Sequence, residues 1–343
     1  MDLTFLVMWV GFILASYSVV GNDVIQTLGT FLTSNEKRVK WYILWLFAAS
    51  ILCFTLIQGY MVNDIDYGRL DKFDIEAINF EWYYLLPPLV LLFITRIGIP
   101  VSTTFMVLTL FSLNKIPNDL NSMLGSVFDA DQKLGGMIQK SIMGYLIAFS
   151  SAMVIYLAIS RLTEKRFMAN PLSDSNRKIW VVLQWFTTGF LWYQWLTQDL
   201  ANIYIYLKGG IDLSPLSFFI SLVILVGLLA YIFYQRGGAV QNVVRKKTNT
   251  ADIRSATFID FIYGVILYIF KYNYLGLFEA KLPMSTTWVF IGLLAGREIG
   301  IRLNLEKKLS KKITRMVFAD LGKVFFGLII SVVLVFIIKL MAG

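Results

Sequence analysis

The segment Gly21-Asn22-Asp23-Val24-Ile25-Gln26 sets amides and a carboxylate inside a long apolar run, and Pro100-Val101-Ser102-Thr103-Thr104 opens another apolar run about 80 residues later. The pairing returns as Gln198-Asp199-Leu200-Ala201-Asn202 and Pro283-Met284-Ser285-Thr286-Thr287. The offsets are 198 − 22 = 176 and 283 − 100 = 183 residues, so the two halves of the chain share one plan. Duplication around polar groups in apolar surroundings points to a transporter.

Composition sets the class. Of 343 residues, 57% are hydrophobic and 15% charged, and mean hydropathy is +0.67. The apolar share is well above, and the charged share well below, that of an ordinary soluble domain. Runs of roughly 18 or more residues with almost no charge fit α-helical spans and not the alternating strands of a barrel. We therefore expect an all-α integral membrane protein in a lipid bilayer. Histidine is absent, which removes histidine metal sites, Ser-His-Asp triads and histidine pH switches. The single Cys53 makes no disulfide and is read as a small buried hydrophobe. Met1 to Val20 opens with Asp2 and no basic stretch, and is read as a retained first span, not a cleaved signal. No Gly-rich phosphate loop is present, which argues against an ATP-driven pump. Neither an enzymatic activity nor a cofactor is expected.

The net charge of +9 lies in loops. Lys37, Arg38 and Lys40 form one basic cluster, and Arg161, Lys165, Arg166, Arg177 and Lys178 a second. Arg236, Arg245, Lys246, Lys247 and Arg254 form a third; Arg302, Lys307, Lys308, Lys311, Lys312 and Arg315 form a fourth. The positive-inside rule places all four at the cytoplasm, as in a multi-pass plasma-membrane protein, and leaves nucleic acid no role. Contact with anionic lipid is an alternative to simple topogenic charge. Met61 to Trp82 is instead acid-rich, with Asp64, Asp66, Asp71, Asp74, Glu76 and Glu81, and is placed outside.

Those anchors trace a path. Leu3 to the Asn22 region runs inward, Trp41 to Met61 outward, and Met137 to Ile159 inward again. Between the last two, Tyr83 to Thr95 and Val101 to Leu113 are too short for comfortable spans, and Arg96, Gly98 and Pro100 interrupt them. A re-entrant hairpin entered from outside is expected there, or a pair of tilted spans. The second half repeats the order in the opposite sense. It runs through Ile179 to Leu200, Leu216 to Tyr234, a short pair at Thr257 to Phe270 and Met284 to Ala295, and Val324 to Leu340. Residues 1–165 and 175–343 are thus expected to form two inverted transmembrane repeats with two broken helix pairs. The mixed charges between Asn114 and Lys133 fit the scheme least well. Lys271 and Lys281 are assigned outside against the charge rule.

Asp23 and Asp199 are placed at or near the inner parts of spans. An ionised carboxylate at the bilayer centre costs about 2.5–3.5 kcal/mol on the insertion scale, so it usually has a partner or a function. With no basic residue nearby in either segment, a bound cation or proton is a reasonable partner. Asn22 and Gln198 join the carboxylates as the expected cation set, for Na⁺ or H⁺, because amide oxygens suit a hard cation. Hydrogen bonding between helices is the alternative. Each Ser-Thr-Thr run, Ser102, Thr103, Thr104 and Ser285, Thr286, Thr287, follows a proline and precedes an apolar run, where an N-cap and first helical turn belong. Two such helix ends facing each other would offer N–H groups, hydroxyls and positive dipole ends to an oxyanion. Gln26 and Asn202 are assigned to the same anion site. Ordinary capping without a ligand is the alternative.

At these residues the sequence resembles the inorganic phosphate transporter family, whose members carry two Gly-Ala-Asn-Asp-x-x-Asn-like and two Pro-x-Ser-Thr-Thr-His-like segments. The matching positions are Gly21 to Gln26 with Gly29-Thr30, Gln198 to Asn202, Pro100 to Thr104 and Pro283 to Thr287. The resemblance implies a Na⁺- or H⁺-driven phosphate symporter, and a similar branch carries sulfate. Phe105 and Trp288 stand where the family usually has His. Gln26 replaces the second Asn of the first motif, Gln198 replaces the first Asn of the second, and the Gly-Ala lead-in before Gln198 is missing. The chain is therefore similar to a divergent member.

Three functions remain at this stage: phosphate symport, transport of sulfate or another small anion, and a non-transporting sensor or subunit that keeps the fold. A homo-oligomer is possible. Arg96 could neutralise an anion or snorkel to an interface. Arg297 and Glu298 are expected as an ion pair at the cytoplasmic edge. Trp82, Tyr83, Tyr84, Trp192, Tyr193 and Trp195 are read as interfacial anchors or packing.

Overall fold

The computed structural model describes residues 3–76, 78–97, 101–160, 163–170, 172–210, 213–236, 252–276, 281–305 and 311–342. Asp2, Gly98, Pro100 and the basic residues Arg161, Arg245, Lys246, Lys247, Lys307 and Lys308 lie outside the described residues. Every regular element among the described residues is helical.

The chain opens with α1 (Leu3–Asn35) and α2 (Trp41–Met61). Residues 62–76 and 78–81, which hold no helix, lead to a 3₁₀ turn (Trp82–Leu85) and the short pair α3 (Leu86–Ile97) and α4 (Thr103–Ser112). Next come α5 (Leu120–Phe128), α6 (Lys133–Ile159) and α7 (Glu164–Ala169). The helix α8 (Asp174–Asp199) passes into α9 (Ala201–Tyr204) and a 3₁₀ turn (Ile205–Gly210). The chain ends with α10 (Pro215–Tyr234), α11 (Ile253–Lys271), α12 (Thr286–Leu305) and α13 (Lys311–Ala342).

Among the described residues, six stretches are long and apolar enough to cross a membrane: Leu3–Val24, Trp41–Met61, Leu120–Ile159, Pro215–Tyr234, Ile253–Lys271 and Thr314–Met341. With an all-helical backbone they make this an integral membrane protein. Large apolar side chains on α13, among them Phe318, Phe326, Ile329 and Ile337, are exposed as a lipid-facing surface would require. The 26-residue α8 has the length of a span. Its buried Gln184, Thr187, Thr188, Gln194, Thr197 and Gln198 make it a poor lipid-facing helix and suit it to the protein interior.

Three expectations need correction. The first span ends near Asn22 as expected, at Val24, but its helix does not: α1 continues to Asn35, because Val24, Leu28, Phe31 and Leu32 keep its far half buried. Asp23 therefore lies well inside a helix of 33 residues, about 50 Å long at 1.5 Å per residue. The second pair is not short, with 19 residues in α11 and 20 in α12. Arg297 and Glu298 sit within α12, where Arg297 is buried with its guanidinium 5.3 Å from the Tyr156 ring. Glu298 pairs with Arg302 at 3.1 Å, one turn on. The charge does not end the helix because an aromatic face receives it.

The stretch between Asn114 and Lys133, whose mixed charges fit the topology least well, holds α5, capped by Asp119, which accepts from Ser122 N at 2.9 Å. Lys281 pairs with Asp71, and Lys271 packs on the Tyr67 ring, so both lysines share a face with the acid-rich segment. Cys53 is half-buried with a free thiol.

Packing follows a regular scheme. The helix α3 lies on α1 and α11 on α8, while α4 lies on α13, α12 on α6, and α2 on α10. The α6–α12 pair is the most extensive. Its seam is Gly292, Gly296 and Gly300, where an added Cβ would run into the backbone of Tyr145, Phe149 and Met153 respectively. Small residues every fourth position let two membrane helices approach to backbone contact. Trp192 and Trp195 are buried and stacked at 4.9 Å, so they serve packing.

Candidate functional site

The four sequence clusters come together through α4. Ser102 caps that helix, its Oγ accepting from Phe105 N at 3.2 Å, which turns the next two hydroxyls inward. Thr103 Oγ1 donates to Asp23 Oδ2, in a short hydrogen bond, and Thr104 Oγ1 donates to Asp199 Oδ1 at 3.3 Å. Two consecutive residues thus hold carboxylates from α1 and α8. All of these residues are buried.

The amides complete the network. Asn22 Nδ2 donates to Asp23 Oδ1 and to Val101 O, both at 2.7 Å, and Gln26 Nε2 donates to Asp23 Oδ1 at 3.2 Å. Asn202 Nδ2 lies 2.8 Å from Asp199 Oδ1 and 3.2 Å from the hydroxyls of both Thr103 and Thr104. Asp23 and Asp199 are near enough for their charges to act on each other.

The second turn mirrors the first. Ser285 Oγ accepts from Trp288 N at 3.3 Å, capping α12, while its own N–H donates to Ser141 Oγ on α6 at 2.9 Å. Lys140, buried on the same helix, donates to Leu282 O at 2.7 Å and pins the strand of chain leading into the turn. Thr287 Oγ1 donates to Val101 O at 3.4 Å, so the two turns touch. Thr286 is in electrostatic contact with Asp199, and its carbonyl accepts from Tyr263 OH at 3.1 Å. Phe105 and Trp288, at matching positions of the two turns, meet edge to face with centroids 5.9 Å apart. The hydroxyls of Ser102 and Ser285 are thus used in capping, which leaves Thr103, Thr104, Thr286 and Thr287 as the hydroxyl set.

Gln198 stands apart. Its Nε2 donates to Gln194 O at 3.4 Å and Leu267 O at 3.3 Å, tying α8 to α11. Arg96 is exposed at the end of α3, whereas the cluster residues are buried.

Asn22 Oδ1, Asn202 Oδ1 and Asp199 Oδ2 are buried acceptors with no hydrogen-bond partner among the described residues. An orphaned buried acceptor costs about 1–3 kcal/mol. Three such acceptors in one cluster, two of them amide oxygens and one on a carboxylate, give the oxygen-rich chemistry of a hard-cation site.

One buried carboxylate escaped the sequence reading. Asp260 on α11 accepts from Thr30 Oγ1 at 2.5 Å and Thr188 Oγ1 at 2.6 Å, joining α1, α8 and α11. A lone aspartate in an apolar run was its signal. It has no counterpart in the first half, so a search for duplicated motifs passes over it.

Comparison with family models yields no match, and comparison with curated proteins yields none either. A solved structure of a sodium-dependent phosphate transporter is similar in fold, with a TM-score of 0.56 and 16% identity. The similarity covers 99% of this chain and 97% of that one. At that identity the two chains share a fold.

Proposed function

We propose that this protein is a secondary symporter that carries inorganic phosphate across the plasma membrane, driven by Na⁺ or H⁺. The observation that carries the reading is the meeting of Asp23 and Asp199 at Thr103 and Thr104, the first turn of a buried helix. The fold shared with a sodium-dependent phosphate transporter supports it. Residues 1–165 and 175–343 act as two inverted repeats. The reciprocal packing, α3 on α1 with α11 on α8 and α4 on α13 with α12 on α6, supports that arrangement.

The chemistry follows from charge. Two neighbouring carboxylates repel an oxyanion, so phosphate enters only after a cation has neutralised them. Asp23, Asp199 and the amide oxygens of Asn22 and Asn202 receive the cation. The N-terminal N–H groups of α4 and α12 receive the anion, joined by the hydroxyls of Thr103, Thr104, Thr286 and Thr287 as these turn from their present acceptors once the cation holds the carboxylates. Cation binding thereby becomes a condition of anion binding, which is the coupling a symporter needs. Rocking of one repeat against the other exposes the site to each side in turn. Net inward movement of positive charge is assisted by about 2.3 kcal/mol per charge per 100 mV.

The test is uptake of labelled phosphate into proteoliposomes with and without a Na⁺ gradient, competed by sulfate. Phosphate uptake that needs the gradient and resists sulfate is expected. Uptake abolished by equimolar sulfate would assign the sulfate branch, and saturable anion binding with no flux would assign a non-transporting component.

A further inference from the structure

Two basic clusters that lie far apart in the sequence meet in one cavity. Lys37, Arg38 and Lys40, in the turn after α1, and Arg236, just past α10, line a space of about 360 Å³. Glu36 is the single carboxylate among the described residues that line it. The turn is built by backbone bonds: Arg38 N and Val39 N both donate to Asn35 O at 2.9 Å, and Glu36 N to Leu32 O at 2.8 Å. Lys37, Lys40 and Arg236 form no ion pair among the described residues. Lys40 also gives α2 no side-chain cap, which leaves the first N–H groups of that helix to another acceptor.

The cavity lies at the membrane boundary. Trp41 is the first residue of one apolar span and Tyr234 the last of another, and their rings meet edge to face at 5.5 Å. Both are exposed, as are Leu46 further along α2 and Tyr231 on α10. Tryptophan and tyrosine sit at headgroup level in membrane proteins, and basic pockets between spans take anionic headgroups. Cations at headgroup level over an exposed apolar face match a phospholipid better than a small free anion. Charge that only sets topology needs neither a cavity nor two distant loops brought together.

We propose that this cavity binds an anionic phospholipid, with Lys37, Lys40 and Arg236 holding its phosphodiester and Trp41 and Tyr234 flanking its acyl chains. The helix α10 packs on both α1 and α2. A lipid held from the α1–α2 turn and from the end of α10 adds a further link between these helices, so its binding is read as stability. The charge rule assigns this end of the spans to the cytoplasm, where anionic lipids draw basic segments.

The test is the thermal unfolding midpoint of the full chain in a non-ionic detergent, after co-purified lipid has been washed away. It is titrated with phosphatidylglycerol, with phosphatidylcholine of the same acyl chains, and with inorganic phosphate. Phosphatidylglycerol should raise the wild-type midpoint to a plateau, and phosphatidylcholine should not. Each cation at an anionic headgroup is worth about fivefold in binding, so Lys37→Gln, Lys40→Gln and Arg236→Gln together should raise the half-saturating lipid concentration on the order of 100-fold. Lys165→Gln, Arg166→Gln and Lys178→Gln together remove three cations elsewhere and should titrate as wild type. All six side chains are exposed, so both triple variants test charge and not folding. An equal loss in the two triple variants, or a wild-type midpoint that ignores phosphatidylglycerol or answers phosphatidylcholine as strongly, overturns the proposal. A response to inorganic phosphate that only the cavity variant loses would give the cavity to a free anion and overturn the lipid assignment.

Discussion

Thr103 and Thr104 are neighbours in sequence, yet their hydroxyls hold carboxylates from different halves of the chain, Asp23 on α1 and Asp199 on α8. One helical turn is thereby the junction of the site. Replacing either threonine by valine keeps the shape and removes the donor. A hydrogen bond to a charged group is worth about 1.5–3 kcal/mol, or roughly 10- to 150-fold in an equilibrium. Thr103→Val should shift the cation concentration for half-maximal phosphate uptake by that order. Thr104→Val should shift it less, since Asn202 still serves Asp199. Equal, negligible shifts would show that the junction is structural only.

The glycine seam on α12 makes a separate claim about stability. Gly296 lies against the Phe149 backbone, so even Gly296→Ala forces α6 and α12 apart. The expected loss is about 1–3 kcal/mol, read as a lower unfolding midpoint in detergent. The same change at Gly227, inside α10 with open space around it, should hold the midpoint or raise it slightly.

Asp260 ties three helices through Thr30 and Thr188. In Asp260→Asn the amide offers one acceptor and one donor, and a hydroxyl can take either role, so both contacts survive. In Asp260→Ala two buried hydroxyls lose their partner, at about 1–3 kcal/mol for each. Thermal unfolding should therefore separate the two variants, with Asn near wild type and Ala clearly below it.

The segment 62–81 should be sensitive to pH. Burial raises the Asp66 carboxyl from an ordinary 3.8 to about 6. A carboxyl whose value is raised by docking binds its proton more tightly when docked, so docking is fully favoured below about pH 4. That advantage is lost as pH rises through about 6. Limited proteolysis within 62–81 should be slower at pH 5 than at pH 7.5, and Asp66→Asn should remove most of the difference.

Much of this was legible in the sequence. The spans were visible because apolar runs are bounded by charge, and Trp41–Met61 falls as the hydropathy places it. The four clusters were visible because they occur twice. Asp23, Thr103, Thr104, Asp199 and Asn202 do converge, whereas Gln198 turns to the backbone of α11, a rotation of the helix that spacing alone does not report. Helix ends were less legible, since the extension of α12 depends on a glycine seam whose partner lies on a distant α6. Asp260 was passed over for a similar reason: it is not duplicated, and its role comes from tertiary contacts with α8 and α1.

The most direct measurement is accumulation of labelled phosphate in proteoliposomes under an imposed inward Na⁺ or H⁺ gradient, compared between wild type and Asp23→Asn. Wild type should concentrate phosphate above its external level and release it when the gradient is dissipated, and Asp23→Asn should not concentrate it at all. Accumulation by Asp23→Asn equal to wild type, or wild-type uptake that stops at equilibrium whatever the gradient, would contradict cation coupling at this site.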